Sequence, residues 1–194
     1  MSKLNKKYLQ IIETGRDLFW KYGIKRVTIE EVCSKANVSK MTFYKHFSNK
    51  NHLVKQILDY IYDEGIRHYR SIMDSDKLYR EKVADLVKLK IDATNDISHE
   101  FLNDYYSIMD NKLKGYLQNL MEKYTKIFLT DFIKAQKTGD IRADLKPEFI
   151  IYFINHMVIL VNDPALNALY PDAQEMILEL MNLLFYGIMP RTES

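Results

Sequence analysis

Apolar residues recur along most of this chain at steps of three and four, the period of a helix with one buried side. Leu4, Tyr8, Ile11, Ile12, Leu18, Phe19 and Tyr22 mark the first such face. Gly23 is its stop signal, and Lys21 stands in the last turn, where a cation suits the helix dipole. Thr28 opens a second helix of about two turns, Ile29 to Lys35. Its hydroxyl can cap, and Glu31 stands at capping-box spacing. Ala36-Asn37-Val38 then makes a sharp turn, with Asn37 tolerating the left-handed backbone. Ser39 caps a third helix over Lys40 to Phe47. Ser48-Asn49 breaks it, and a fourth begins near Lys50 with Leu53, Ile57, Leu58 and Ile61 on one side.

The pattern continues to the end. Val83, Leu86, Val87, Ile91 and Thr94 form one stripe, and Phe101, Leu102, Tyr105 and Met109 another. Leu113, Leu117, Leu120, Tyr124, Ile127 and Phe128 form a long one, ended at Thr138-Gly139-Asp140. After the loop IRADLKP come two last helices, about Pro147 to Asn162 and Pro171 to Gly187. No run alternates as a strand does, and six glycines and four prolines are too few for a turn-rich β architecture. The chain reads as all-α, with about nine helices.

Charge changes this picture most. The net charge is +2, but residues 1–60 hold twelve Lys/Arg against five Asp/Glu, and the remainder is acidic. A basic end on an acidic body is what a polyanion partner asks for. Cys33 is the single cysteine, so no intramolecular disulfide forms and a reducing compartment fits. The N-terminus lacks the apolar core of a signal peptide. The most apolar run, Phe149 to Val161, is too short to span a bilayer. A cytoplasmic protein without membrane contact is expected. The five histidines have no metal-ligand spacing, and no nucleophile motif, phosphate loop or carboxylate pair stands out. The reading is no metal, no cofactor and no catalytic residue, hence no enzyme.

Two short helices joined by a tight turn form a helix-turn-helix. Phe43 and Phe47 share a face that anchors the third helix, which leaves Lys40, Met41, Tyr44 and Lys45 pointing outward. Lysines and hydroxyls on such a helix suit phosphate oxygens and the major groove.

The strings Thr28-Ile29-Glu30-Glu31-Val32, Ala36-Asn37-Val38-Ser39-Lys40 and Thr42-Phe43-Tyr44-Lys45-His46-Phe47-Ser48-Asn49-Lys50 resemble the DNA-binding module of the tetracycline-repressor (TetR) family. The likeness covers about the first 60 residues, and GDIRADLKPE looks like the family's loop before its last helices. It implies a helix-turn-helix DNA-binding domain over residues 1–50 and a helical effector-binding and dimerisation domain over 51–194. It implies a homodimeric regulator, usually a repressor, on a double-stranded DNA operator. By motif position Thr28, Tyr44 and Lys50 would contact phosphates. Ser39, Lys40, Met41 and Thr42 would lie along the groove, with Lys45 and His46 near the backbone. Met41 stands where the family often has glycine, and could meet a thymine methyl.

Beyond the module, aromatic residues at helical spacing, Tyr105, Tyr124 and Phe128 among them, suit a core or an apolar effector pocket. Asn95, His99 and Asn155 are candidate polar anchors in it. The Phe149–Val161 helix is apolar all round and needs cover on more than one side. With the stripe of the final helix it is expected to build a two-fold interface from Ile150, Ile154, Met157, Val158, Val161, Met176, Leu180 and Leu184. A central core helix of a monomer is the alternative. Two functions remain open: a repressor released by a small apolar effector, and a DNA-binding regulator controlled by a protein partner without a small-molecule pocket.

Overall fold

The computed structural model describes residues 3–108, 114–161 and 163–190, with all their side chains but those of residues 3–5, 106, 108, 114 and 158. Leu4, Met109, Leu113, Val158 and Asn162, named above, therefore lie outside what is described. Among the described residues there are ten helices and no strand: α1 (Lys3–Tyr22), α2 (Ile29–Lys35), α3 (Lys40–His46), α4 (Lys50–Met73), α5 (Tyr79–Ala93), α6 (His99–Ile108), α7 (Lys114–Thr138), α8 (Pro147–Leu160), α9 (Pro164–Leu169) and α10 (Ala173–Ile188). The helix beyond the expected nine is α9. It is six residues long, too short to show a period, and is started by the Asp163 side chain, which accepts from Ala165 N at 2.8 Å.

The chain divides into two compact units, Met1–Gly65 with Asp96–Leu113 and Ile66–Asn95 with Lys114–Ser194. The sequence reading cut it once, after Lys50. Contacts cluster differently because the first half of α4 buries Leu53, Val54, Ile57 and Leu58 with the N-terminal helices, and α6 packs on α1.

The first unit has Ile11, Ile12, Phe19, Val32, Phe43 and Phe47 at its centre, each at most 1% exposed. The end of α1 is fastened to α6 by polar contacts. Ser98 donates to the Trp20 carbonyl twice, from its N–H at 2.9 Å and its hydroxyl at 2.7 Å. The buried Asp104 carboxylate accepts from the Lys25 N–H at 2.7 Å and pairs with the Lys25 ammonium at 3.3 Å. Gly23 makes this approach possible. Its φ is +81°, and a Cβ there would meet Asp104 Oδ2 at 2.8 Å. Gly23→Ala is therefore expected to cost about 1–3 kcal/mol from left-handed strain and crowding. Gly65→Ala, in a helix and facing open space, should instead stabilise by about 0.5–1 kcal/mol. Paired denaturant melts check the opposite signs.

In the second unit Val83 and Leu86 of α5, Phe132 and Ala135 of α7, Ile150 of α8, and Leu184, Phe185 and Ile188 of α10 form one core. Its rim is polar and paired. The Tyr69 hydroxyl donates to Asp131 Oδ2 at 2.8 Å, and Arg70 Nη1 donates to Asp131 Oδ1 at 3.1 Å. Burial and the Asp131 charge push the Tyr69 phenol well above its ordinary pKa, so it stays a donor. The GDIRADLKPE loop is tied back by Gln136, whose amide donates to the carbonyls of Arg142 and Leu145. Among the described residues no helix is long and apolar enough to cross a membrane.

Candidate nucleic-acid interface

The turn before α2 is built from its own side chains. Thr28 Oγ1 accepts the Glu31 N–H at 3.1 Å, and the Glu31 carboxylate accepts the Thr28 N–H at 2.7 Å, a complete capping box. These bonds hold the Glu31 carboxyl below the usual carboxylate pKa. The next turn depends on Asn37, whose φ is 49°. Its amide needs no side-chain partner to hold the turn, because the Val38 N–H donates to the Cys33 carbonyl at 3.0 Å. Ser39 Oγ accepts from the Thr42 N–H at 3.1 Å and starts α3. Phe43 and Phe47, both 0% exposed, lock the inner side of α3, with ring centroids 5.2 Å apart and Phe47 stacked on Tyr8. Cys33 is buried as a packing residue.

The outer side of α3 is open. Met41 is 72% exposed and Tyr44 55%, and Ser39, Lys40 and Lys45 are exposed with them. Thr42 is half-buried, its hydroxyl 3.0 Å from that of Ser39. Lys40 pairs with Glu30 across the turn. Both side chains face solvent, so the pair is worth little and a phosphate can compete for the ammonium. His46 sits lower, edge-on to Tyr8 at 5.8 Å, and is as much a packing residue as a surface one. Lys50 is turned inward: its ammonium donates to the Lys25 carbonyl at 3.0 Å and lies over the Phe19 ring. Burial lowers its pKa, against the opposing pull of Asp104 and Glu31. Thr28, Ser39, Lys40, Met41, Tyr44 and Lys45 thus fall on the exposed rim of one short motif, while Lys50 braces that motif from within.

The expected effector residues are more scattered. His99 and Tyr105 lie on α6 in the first unit, half-buried, with the Tyr105 hydroxyl 3.0 Å from that of Tyr62. In the second unit Tyr124 and Phe128 are half-buried on α7, and Phe128 packs on the core. Asn155 is exposed on the solvent side of α8, and Asn95 is exposed after α5. Asn155 therefore corrects the expectation: an outward side chain cannot anchor a ligand inside its own unit.

The expected dimer residues need a larger correction. Ile150, Met176 and Leu184 are at most 8% exposed in the single chain, Val161 is buried, and Ile154 and Met157 pack against the same core. Leu180 is half-buried. These residues face their own unit. The uncovered apolar side of α8 carries Phe149, Tyr152 and Ile159, and that of α10 carries Leu183 and Tyr186, all 55–66% exposed. Leu183 also borders an open cleft of about 660 Å³ with Tyr170, Leu178 and Glu179. The hydrophobic period cannot choose a side on a helix that is apolar all round.

Among the described residues no three His, Cys, Asp or Glu side chains converge as a metal site. Comparison with known proteins agrees with the geometry of the N-terminal motif. Residues 11–57 match the model of the "Bacterial regulatory proteins, tetR family". The HTH-type transcriptional repressor DhaR of Mycobacterium sp. (strain GP1) is 21% identical over 187 residues, covering 95% of this chain and 93% of that protein. Regulatory protein TetR from Rhodobacter sphaeroides superposes with a TM-score of 0.72 at 15% identity, over 94% of this chain and 98% of that one. SmeT, solved in complex with triclosan, superposes at 0.63 with 16% identity, over 95% and 92%. With a capped helix-turn-helix, the family match laid over it and the same helical layout along nearly the whole length, this chain belongs to the TetR family of transcriptional regulators.

Proposed function

We propose that the protein is a homodimeric repressor that holds a palindromic operator through α3 and is released when a small effector enters its second unit. The observation that carries the DNA reading is the two-sided construction of α3: Phe43 and Phe47 locked beneath, Met41, Tyr44 and Lys45 free above. Thr28 and Ser39 have their oxygens committed to capping, so they set the entry angle of the helices, and Tyr44, Lys40 and Lys45 supply phosphate contacts. Met41 is the apolar probe of the groove. The effector reading is supported by the likeness to SmeT, which was solved with triclosan bound. The dimer reading is supported by the uncovered aromatic and aliphatic side of α8 and α10.

The test is operator capture from genomic fragments, followed by titration of affinity against salt. Each phosphate neutralised adds about 0.9 to the slope of log affinity on log salt. Two lysines from each of two protomers give a slope of about −3.6 or steeper. A flat response, or equal affinity for every sequence, overturns the proposal.

A further inference from the structure

The core-facing side of α5 carries one residue that packing does not explain. Tyr79, Val83, Leu86, Val87 and Thr94 fall on one side of this helix, and all are buried or packed against the second unit's core. Lys90 stands in the middle of that side, four residues after Leu86 and four before Thr94. It keeps some accessible surface, so it borders a gap in the packing and is not sealed in. The protein around it desolvates the ammonium and lowers its pKa, and no acidic group counters that effect. The polar groups at this end of α5 are already satisfied by one another. Thr94 Oγ1 donates to the Lys90 carbonyl at 2.7 Å and accepts from Gln174 Nε2 at 3.2 Å. Gln174 Nε2 also reaches the Ile91 carbonyl at 2.6 Å. None of them accepts from the ammonium.

A desolvated cation without a counter-charge is a standing cost in the free protein. An anion that reaches it removes that cost, whereas a neutral ligand leaves it in place. We propose that Lys90 is the charge anchor of the effector site, and that the effector is an amphiphile with an apolar body and one anionic head. The apolar body follows from the company Lys90 keeps on α5, Val83, Leu86 and Val87. The inference rests on the reading of the second unit as the effector-receiving one, and it narrows the ligand class from apolar to anionic and apolar.

The experiment uses two probes of similar aromatic body, 1-anilinonaphthalene-8-sulfonate, which is anionic, and N-phenyl-1-naphthylamine, which is neutral. Each is titrated by fluorescence into the folded full-length protein and into Lys90→Met and Lys90→Arg. The parent and Lys90→Arg should bind the sulfonate, and Lys90→Met should bind it at least about tenfold more weakly. The neutral probe should bind all three alike. Lys90→Met should also melt at a higher temperature than the parent without ligand, because the unpaired ammonium is gone. No sulfonate binding to the native parent, equal sulfonate affinity in Lys90→Met, or a melting temperature that does not rise overturns the proposal. Operator binding by Lys90→Met without probe should match the parent. It is scored separately, so a failed anchor is distinguishable from a failed repressor.

Discussion

Leu183→Asp is expected to give a folded monomer that binds a full palindrome about a hundredfold or more less tightly than the parent. The argument runs from burial. Leu183 is 66% exposed in the single chain, so a carboxylate there meets water and costs the fold little. In a two-fold interface built on α8 and α10 the same carboxylate would be buried beside apolar groups without a partner, which is strongly unfavourable. Once the dimer is lost, the second half-site is no longer engaged at high effective concentration, and avidity of about 10²–10⁴ goes with it. Ile159→Asp, on the exposed side of α8, should act alike. Leu184→Asp is the contrasting case. Leu184 is 8% exposed and belongs to the core with Ile150 and Phe185, so an aspartate there should unfold the second unit, at a cost above about 4 kcal/mol. Sedimentation at micromolar concentration separates the three variants from the parent, and circular dichroism separates monomer from unfolded chain. A dimeric Leu183→Asp would place the interface elsewhere.

That contrast between neighbours shows where the sequence was legible and where it was not. The N-terminal motif was readable almost residue by residue because its signals are local. A capping box, a residue that tolerates positive φ and two phenylalanines four apart act within a turn or two. Thr28, Asn37 and Ser39 do in the structure what their spacing demands. The side of α8 that faces inward depends on partners far along the chain, Phe132 and Leu184 among them, and no period within α8 encodes it. The expected interface took the inward side for this reason.

Lys90 and Asp104 escaped for related reasons. The stripe Val83, Leu86, Val87, Ile91, Thr94 was legible, and a lysine beside it reads as a solvated residue until the packing of α5 and α10 is known. Ile91, counted in the stripe, is 41% exposed, while Lys90 takes the inner position. The signal was present as a charge at a helical angle between Leu86 and Thr94. Asp104 fastens the α1–α2 turn from 79 residues away along the chain, and nothing in the sequence links the two.

The DNA module offers the other large effect, because two adjacent residues of α3 separate folding from binding. Phe43 is 0% exposed and touches both Phe47 and Tyr44 with its ring. Phe43→Ala opens a cavity among Ile12, Val32 and Phe47, where the short helices α2 and α3 have little else to hold them. The expected loss is about 3–5 kcal/mol, and binding should fail because the motif melts. Tyr44 is 55% exposed, and its hydroxyl is aimed at the proposed phosphate row. Tyr44→Ala removes only an edge contact with Phe43 at 5.3 Å, so its melting temperature should stay within a few degrees of the parent. A hydrogen bond to a charged phosphate is worth about 1.5–3 kcal/mol, so operator affinity should fall roughly ten- to hundredfold per protomer, alike for all sequences. Met41→Ala should leave the melt unchanged as well, but its loss should concentrate on operators with a thymine under the helix, since an apolar contact to the methyl carries sequence information and a phosphate contact does not. Thermal melts alongside binding to the operator and to a scrambled duplex resolve the three. A Tyr44→Ala that melts early, or that binds the operator as the parent does, would mean that α3 does not meet DNA with this side.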